Sequence, residues 1–139
     1  MKKFLLISFL FCVQLSFAQD IVGKWTSIDD NSGKERSIVE IYKKEDKYFG
    51  KIVGMYLEPD EPKDPVCDQC TDDRKDKKIM GMEIIRNMEK DDDEYSGGEI
   101  MDPENGKIYR CKLWIEDGKL MVRGYVAFFY RTQEWIKKN

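Results

Sequence analysis

The chain has 139 residues, 41% hydrophobic and 37% charged, with 24 Lys and Arg against 27 Asp and Glu and no histidine. That length fits one domain, and the apolar share supports a buried core. The slight acidity argues against a nucleic-acid partner, which would call for a basic face, and the missing imidazole excludes Ser-His-Asp and Cys-His catalysis, histidine-ligated zinc and a histidine pH switch.

Lys2 and Lys3 precede an apolar run over residues 4–13 broken only by Ser8, and Ser16-Phe17-Ala18 follows with small residues at the two positions that a signal peptidase reads. This order predicts an export signal over residues 1–18, cleaved after Ala18. It leaves one domain over 19–139 in a periplasmic or extracellular location. The run is too short to span a bilayer and no second one follows, so no transmembrane anchor is expected. Cys12 lies inside the apolar run with no small residues leading into it, unlike a lipid-attachment cysteine.

From Ile21 onward the hydrophobic period is two. Strands are predicted over 21–28, 37–43, 48–57, 82–88, 95–101, 107–116, 120–126 and 131–136. The segment 82–88, Met-Glu-Ile-Ile-Arg-Asn-Met, also fits a short helix. Turn chemistry separates most of the strands, including Asp29-Asp30-Asn31-Ser32-Gly33, Glu45-Asp46, Asn105-Gly106 and Asp117-Gly118. Glycine there accepts the positive φ of tight hairpins. The pattern predicts an all-β, antiparallel up-and-down barrel of about eight strands, since closure removes exposed sheet edges. Charges on both faces, such as Glu40 and Lys51, argue against a lipid-facing outer-membrane barrel. One connection, 58–78, is acidic, holds Pro59, Pro62 and Pro65, and exceeds the usual loop length, so it is read as a lid or binding segment. An idle excursion would have the same composition.

Gly23-Lys24-Trp25 opens the first strand and Arg131 opens the last. That pairing is the pattern of lipocalin-like barrels, in which an indole closes one end and a guanidinium stacks across it. Trp25 and Arg131 are therefore expected to pack together as the barrel-end closure. The alternative is a strand tryptophan in a sandwich core.

Five stretches carry a wider likeness: Gly23-Lys24-Trp25; Lys51-Ile52-Val53; Asp64-Pro65-Val66-Cys67-Asp68-Gln69-Cys70; Gly97-Gly98-Glu99-Ile100-Met101-Asp102-Pro103-Glu104-Asn105-Gly106-Lys107; and Arg131-Thr132-Gln133-Glu134-Trp135. Together they resemble the exported bacterial family named domain of unknown function 2147, over essentially all of residues 21–137. The resemblance implies a lipocalin-like β-barrel in the bacterial envelope and brings no catalytic residues with it.

Export would leave Cys67, Cys70 and Cys111. The first two form Cys-x-x-Cys in the long connection, flanked by acids and followed by no helix pattern, which disfavours a redox site and favours a local disulfide. Cys111 alternates with Tyr109, Leu113 and Ile115 on an apolar face, where a buried thiol is the default. Three thiolates with Asp68, Asp72 or Asp73 could hold zinc, but no fourth cysteine or histidine exists. The acidic turn at 29–33 misses the calcium-loop spacing. No metal and no cofactor are expected.

In the last strand Arg131, Gln133 and Trp135 share one side by alternation. Facing inward, they would present a cation, an amide and an indole to a polar head beside an apolar body. Alternatively they satisfy one another as end-capping groups. The sequence thus reads as a non-enzymatic exported module that binds an apolar or amphipathic small molecule. The alternatives are a structural or protein-interaction module of the envelope with a filled barrel, and a thiol or metal protein using Cys67, Cys70 and Cys111.

Overall fold

The alternating segments become eight antiparallel strands: β1 (Gly23–Ile28), β2 (Glu35–Lys44), β3 (Lys47–Met55), β4 (Glu83–Asp91), β5 (Glu94–Met101), β6 (Ile108–Glu116), β7 (Lys119–Val126) and β8 (Phe129–Lys137). In this computed structural model, which describes residues 12–13 and 19–139, they close into a barrel in sequence order. The export signal expected over 1–18 lies outside the described residues apart from 12 and 13. The segment at 82–88 that could have been a helix is strand β4, because β3 and β5 pair with it on either side and tertiary pairing overrides local propensity. Gly98 is required at that crossing: a Cβ there would lie 2.2 Å from the Arg86 carbonyl oxygen.

Antiparallel closure sets the register of the ends. The start of β1 meets the end of β8, with Trp25 opposite Lys137 and Thr26 opposite Ile136. Trp25 is therefore covered by Lys137, whose Nζ lies 4.7 Å from the indole centroid, and not by Arg131. The expected Trp25–Arg131 closure is corrected on this ground. Six residues of strand, about 20 Å at ~3.4 Å per residue, separate Lys137 from Arg131. Trp25 does close its end of the barrel. It is 2% exposed, its Nε1–H donates to the Ile21 carbonyl at 2.8 Å, and Ile41, Met88, Leu113 and Leu120 complete the packed half of the interior. The Tyr48 and Tyr95 rings meet edge to face at 4.8 Å in the same core.

The long connection between β3 and β4 is an anchored segment, not an idle one. Cys67 and Cys70 are bridged and buried, and the Cys70 sulfur lies 3.3 Å from that of Met101. Gly106, with φ at +71°, presses against the bridge: a Cβ there would stand 2.2 Å from the Gln69 carbonyl oxygen. The Arg74 side chain is 3% exposed; its Nη1–H donates to the Glu83 carbonyl at 2.9 Å and its Nη2–H to Asp72 at 2.6 Å. Arg86 grips Asp73 with both terminal nitrogens at 2.9 Å. Two arginines thus clamp two neighbouring acids to the start of β4.

Trp25→Ala is expected to cost about 3–5 kcal/mol in chemical unfolding, as for a large buried aromatic. Lys137→Ala, which removes only a solvent-exposed cation–π contact, should cost less than about 1 kcal/mol. A second expectation concerns acid. The Arg74 guanidinium holds the Asp72 carboxyl at about 2, below its ordinary 3.8. A carboxylate depressed in the folded state adds stability above its unfolded pKa and loses it as pH falls through the folded one. The unfolding midpoint should therefore decline as pH is lowered from about 4 toward 2, and Asp72→Asn should decline less over that window.

Candidate functional site

Above the packed half the barrel opens into a cavity of about 760 Å³. It lies at the end defined by the β1–β2 turn, the β3–β4 connection, the β5–β6 turn and the β7–β8 hairpin. Its deep wall is apolar, built from Ile52, Ile84, Ile100, Met101, Val122 and Trp135. Gly124 lines the cavity on β7, where a Cβ would make ordinary contact with the Tyr109 side chain at 3.6 Å and Ile100 at 4.0 Å.

Arg131, Gln133 and Trp135 all line this cavity, as their alternation on β8 requires. They also bond to one another through the β1–β2 turn. The Trp135 Nε1–H donates to Gln133 Oε1 at 2.9 Å, and the Gln133 Nε2–H donates to Asp30 Oδ2 at 2.8 Å. Arg131 Nε lies 2.9 Å from the same Asp30 oxygen. This chain has a structural reason. Backbone pairing of β1 with β8 ends at Thr26 opposite Ile136, so toward the mouth the Asp30 carboxylate ties the seam that the ladder no longer holds. Asp29 shapes the turn that presents Asp30 by accepting the Asn31 and Ser32 amides at 2.9 and 2.7 Å. Those bonds, the Ser32 amide first, hold its carboxyl below the usual range.

The opposite side of the mouth is organised by Arg36, which the sequence did not mark. Its terminal nitrogens grip Glu61 at 2.7 and 2.8 Å, and its Nε–H donates to Glu104 at 2.9 Å. One side chain of β2 thereby joins the long connection to the β5–β6 turn. Glu61 first, then Glu104, pushes the Arg36 pKa up against the cost of burial, and Arg36 in turn lowers Glu61. Glu104 is aimed by the Asp-Pro-Glu-Asn-Gly turn: the Asp102 carboxylate accepts the Glu104 amide at 2.9 Å and its carbonyl accepts the Gly106 amide at 2.7 Å. Glu104 and Gly106 stood in one of the stretches that carry the family likeness. Arg36 and Glu61 had no such signal, because they lie 25 positions apart and Glu104 lies 68 from Arg36.

Six carboxylates (Asp29, Asp30, Glu61, Asp68, Asp102 and Glu104) and two guanidiniums (Arg36 and Arg131) line the cavity. The mouth is therefore net acidic.

The cysteines divide as their environments dictate. Cys67 and Cys70 form the expected disulfide, and Cys111 is a buried thiol whose pKa burial pushes up to about 12. Among the described residues no group of three or more Cys, Asp or Glu side chains is gathered to hold a metal.

The Arg131 side chain is 66% exposed, so its pair with Asp30 is screened by water. Arg131→Ala is expected to shift the unfolding midpoint by less than about 1 kcal/mol, far less than Trp25→Ala. A loss comparable to that of Trp25→Ala would contradict this geometry.

Among solved structures the fold is similar to that of protein HP1028 from the human pathogen Helicobacter pylori, described as belonging to the lipocalin family. The TM-score is 0.72 at 15% sequence identity, over 86% of this chain and 84% of that one. No curated protein matches the sequence. The family model described as an uncharacterized protein conserved in bacteria (DUF2147) matches residues 23–137. That span runs from the first residue of β1 to the last of β8, and the chain belongs to this family.

Proposed function

We propose that the protein is an exported binding module that holds an apolar or amphipathic small molecule in the open half of its barrel. The observation that carries this reading is the uneven filling of the interior. One half is closed by Trp25 and packed with side chains, while the other keeps about 760 Å³ behind an apolar wall and a polar rim. Cavities of roughly 300–1,000 Å³ with an apolar lining and a few placed polar groups are the usual form of small-molecule sites. The likeness to a lipocalin supports the fold on which the reading rests, and fold alone does not name a ligand.

The charge of the mouth narrows the ligand class. With six acids to two arginines, and with Arg36 and Arg131 already engaged by carboxylates, an anionic head would meet net repulsion. An uncharged or cationic head suits this rim, with the apolar body on Ile52, Ile84, Val122 and Trp135. Arg131, Gln133 and Trp135 act here as wall and rim. Export rests on the charged, apolar and small-residue order of residues 1–18, and places the binding step outside the cytoplasm.

Titration with dodecylamine, dodecanol and dodecanoate, followed by intrinsic fluorescence and native mass spectrometry, tests the reading. The amine and the alcohol should bind and the carboxylate should bind more weakly. Gly124→Phe, which places a ring on the cavity wall at a position that accepts a Cβ, should weaken binding by about tenfold or more while the barrel stays folded. If none of the three compounds binds the wild-type protein, or if Gly124→Phe binds them equally well, the cavity is not a ligand site.

A further inference from the structure

We propose that the β7–β8 hairpin is a membrane-docking wedge, with the rings at its tip entering the headgroup–acyl boundary of a phospholipid bilayer and the cations behind them meeting lipid phosphates. The tip is Ala127-Phe128, followed by Phe129 and Tyr130, and these three aromatic residues are 98%, 76% and 61% exposed. Val126 and Ile108 beside them are also exposed. None of these rings supports the barrel core. The turn has Ala127 at φ +50°, a conformation usually left to glycine or asparagine, so the tip does not follow turn preference either.

The other hairpins show the contrast. At the Trp25 end the turns carry Glu45-Asp46, Asp92-Asp93 and Asp117-Gly118, with acids at positive φ and no aromatic residue. The molecule is thus acidic at the tips of its closed end and aromatic at one tip of its open end.

Charge reinforces the polarity. Residues 105–115 and 118–133, which make up most of β6, β7 and β8, contain no Asp or Glu in a chain whose acids outnumber its bases by 27 to 24. Lys107, just before β6, Arg110 on β6 and Arg123 on β7 carry the positive charge of this region. The Arg123 guanidinium sits 4.1 Å from the Tyr130 ring, and the Arg110 guanidinium 5.9 Å from the Tyr125 ring. Aromatic rings with cations set behind them are the arrangement that occupies a membrane interface, where the ring sits at headgroup depth and the cation finds phosphate.

A protein partner fits this corner less well. Three rings of about 150–250 Å² each fall short of the roughly 800 Å² per partner that a stable interface buries. The wedge also adjoins the cavity, since Val126 lines it, so docking would turn the mouth toward the bilayer. The docking rests on the tip and its charges and holds whatever occupies the cavity.

Flotation of the purified protein with vesicles of phosphatidylethanolamine and phosphatidylglycerol, and with vesicles of phosphatidylcholine alone, decides the matter. The wild-type protein should float with the first and less with the second. Phe128→Ser with Phe129→Ser should cut the bound fraction by about tenfold or more with an unchanged unfolding midpoint. Lys107→Glu with Arg110→Glu should remove the preference for the anionic vesicles. Gly124→Phe should float like the wild type, which separates docking from ligand binding. Two results would overturn the proposal: a wild-type protein that floats with neither vesicle, or a double-serine variant that floats as well as the wild type. A wild-type dimer that the double-serine variant loses, with no flotation of either, would instead assign the tip to self-association.

Discussion

Antiparallel closure of β1 onto β8 is the constraint from which the two ends of this barrel take their character. Because the strands run in opposite directions, Trp25 near the start of β1 meets Lys137 at the end of β8. Arg131, near the start of β8, is carried to the far end. Trp25 can then be buried among Ile41, Met88 and Leu120 without a guanidinium across it, and the closed half needs no polar group from β8 beyond Lys137 at its edge. The cavity lies in the other half.

The open half is held by side chains where backbone pairing runs short. Asp30 joins the β1–β2 turn to β8, and Arg36 joins β2 to the long connection and the β5–β6 turn. Arg74 and Arg86 fasten the same connection to β4 through Asp72 and Asp73. Each junction pairs a planar guanidinium or an amide with a carboxylate, chemistry that bridges segments with no shared ladder. Partly exposed pairs of this kind add modest stability each, and their contribution here is to shape the mouth. The acids that serve them leave the rim net negative, while residues 105–115 and 118–133 of the neighbouring strands and turns carry no acid. One end of one barrel thus offers two surfaces of different charge, and the two proposals, ligand binding and membrane docking, rest on one surface each.

Several of the family motifs correspond to particular parts of the barrel. Asp102-Pro103-Glu104-Asn105-Gly106 makes the turn that aims Glu104 at Arg36 and seats a glycine against the disulfide loop. Arg131-Thr132-Gln133-Glu134-Trp135 places alternate residues on the cavity wall. Gly97-Gly98 allows β5 to approach the backbone of β4. At Gly98 and Gly106 the geometry leaves no room for a side chain, and this holds without any knowledge of a ligand.

What the sequence determined by itself was local. Alternation over two residues set all the strands but β4, which also fitted a helix, hairpin chemistry set most of their turns, a spacing of three made the Cys67–Cys70 bridge, and the side of β8 that carries Arg131, Gln133 and Trp135 followed from the pleat. What only the tertiary structure decided was the partner of each end and the filling of the interior. The position of Arg131 in the chain suggested a contact with Trp25, but contact across the closing seam depends on strand direction, which a list of strands does not convey. Arg36 and Glu61 are ordinary charged residues until the barrel brings them together, and the division into a packed half and an open half depends on the summed volumes of side chains from all eight strands. Periodicity is a property of neighbours in sequence; closure, pairing over long separations and packing volume are properties of the assembled barrel.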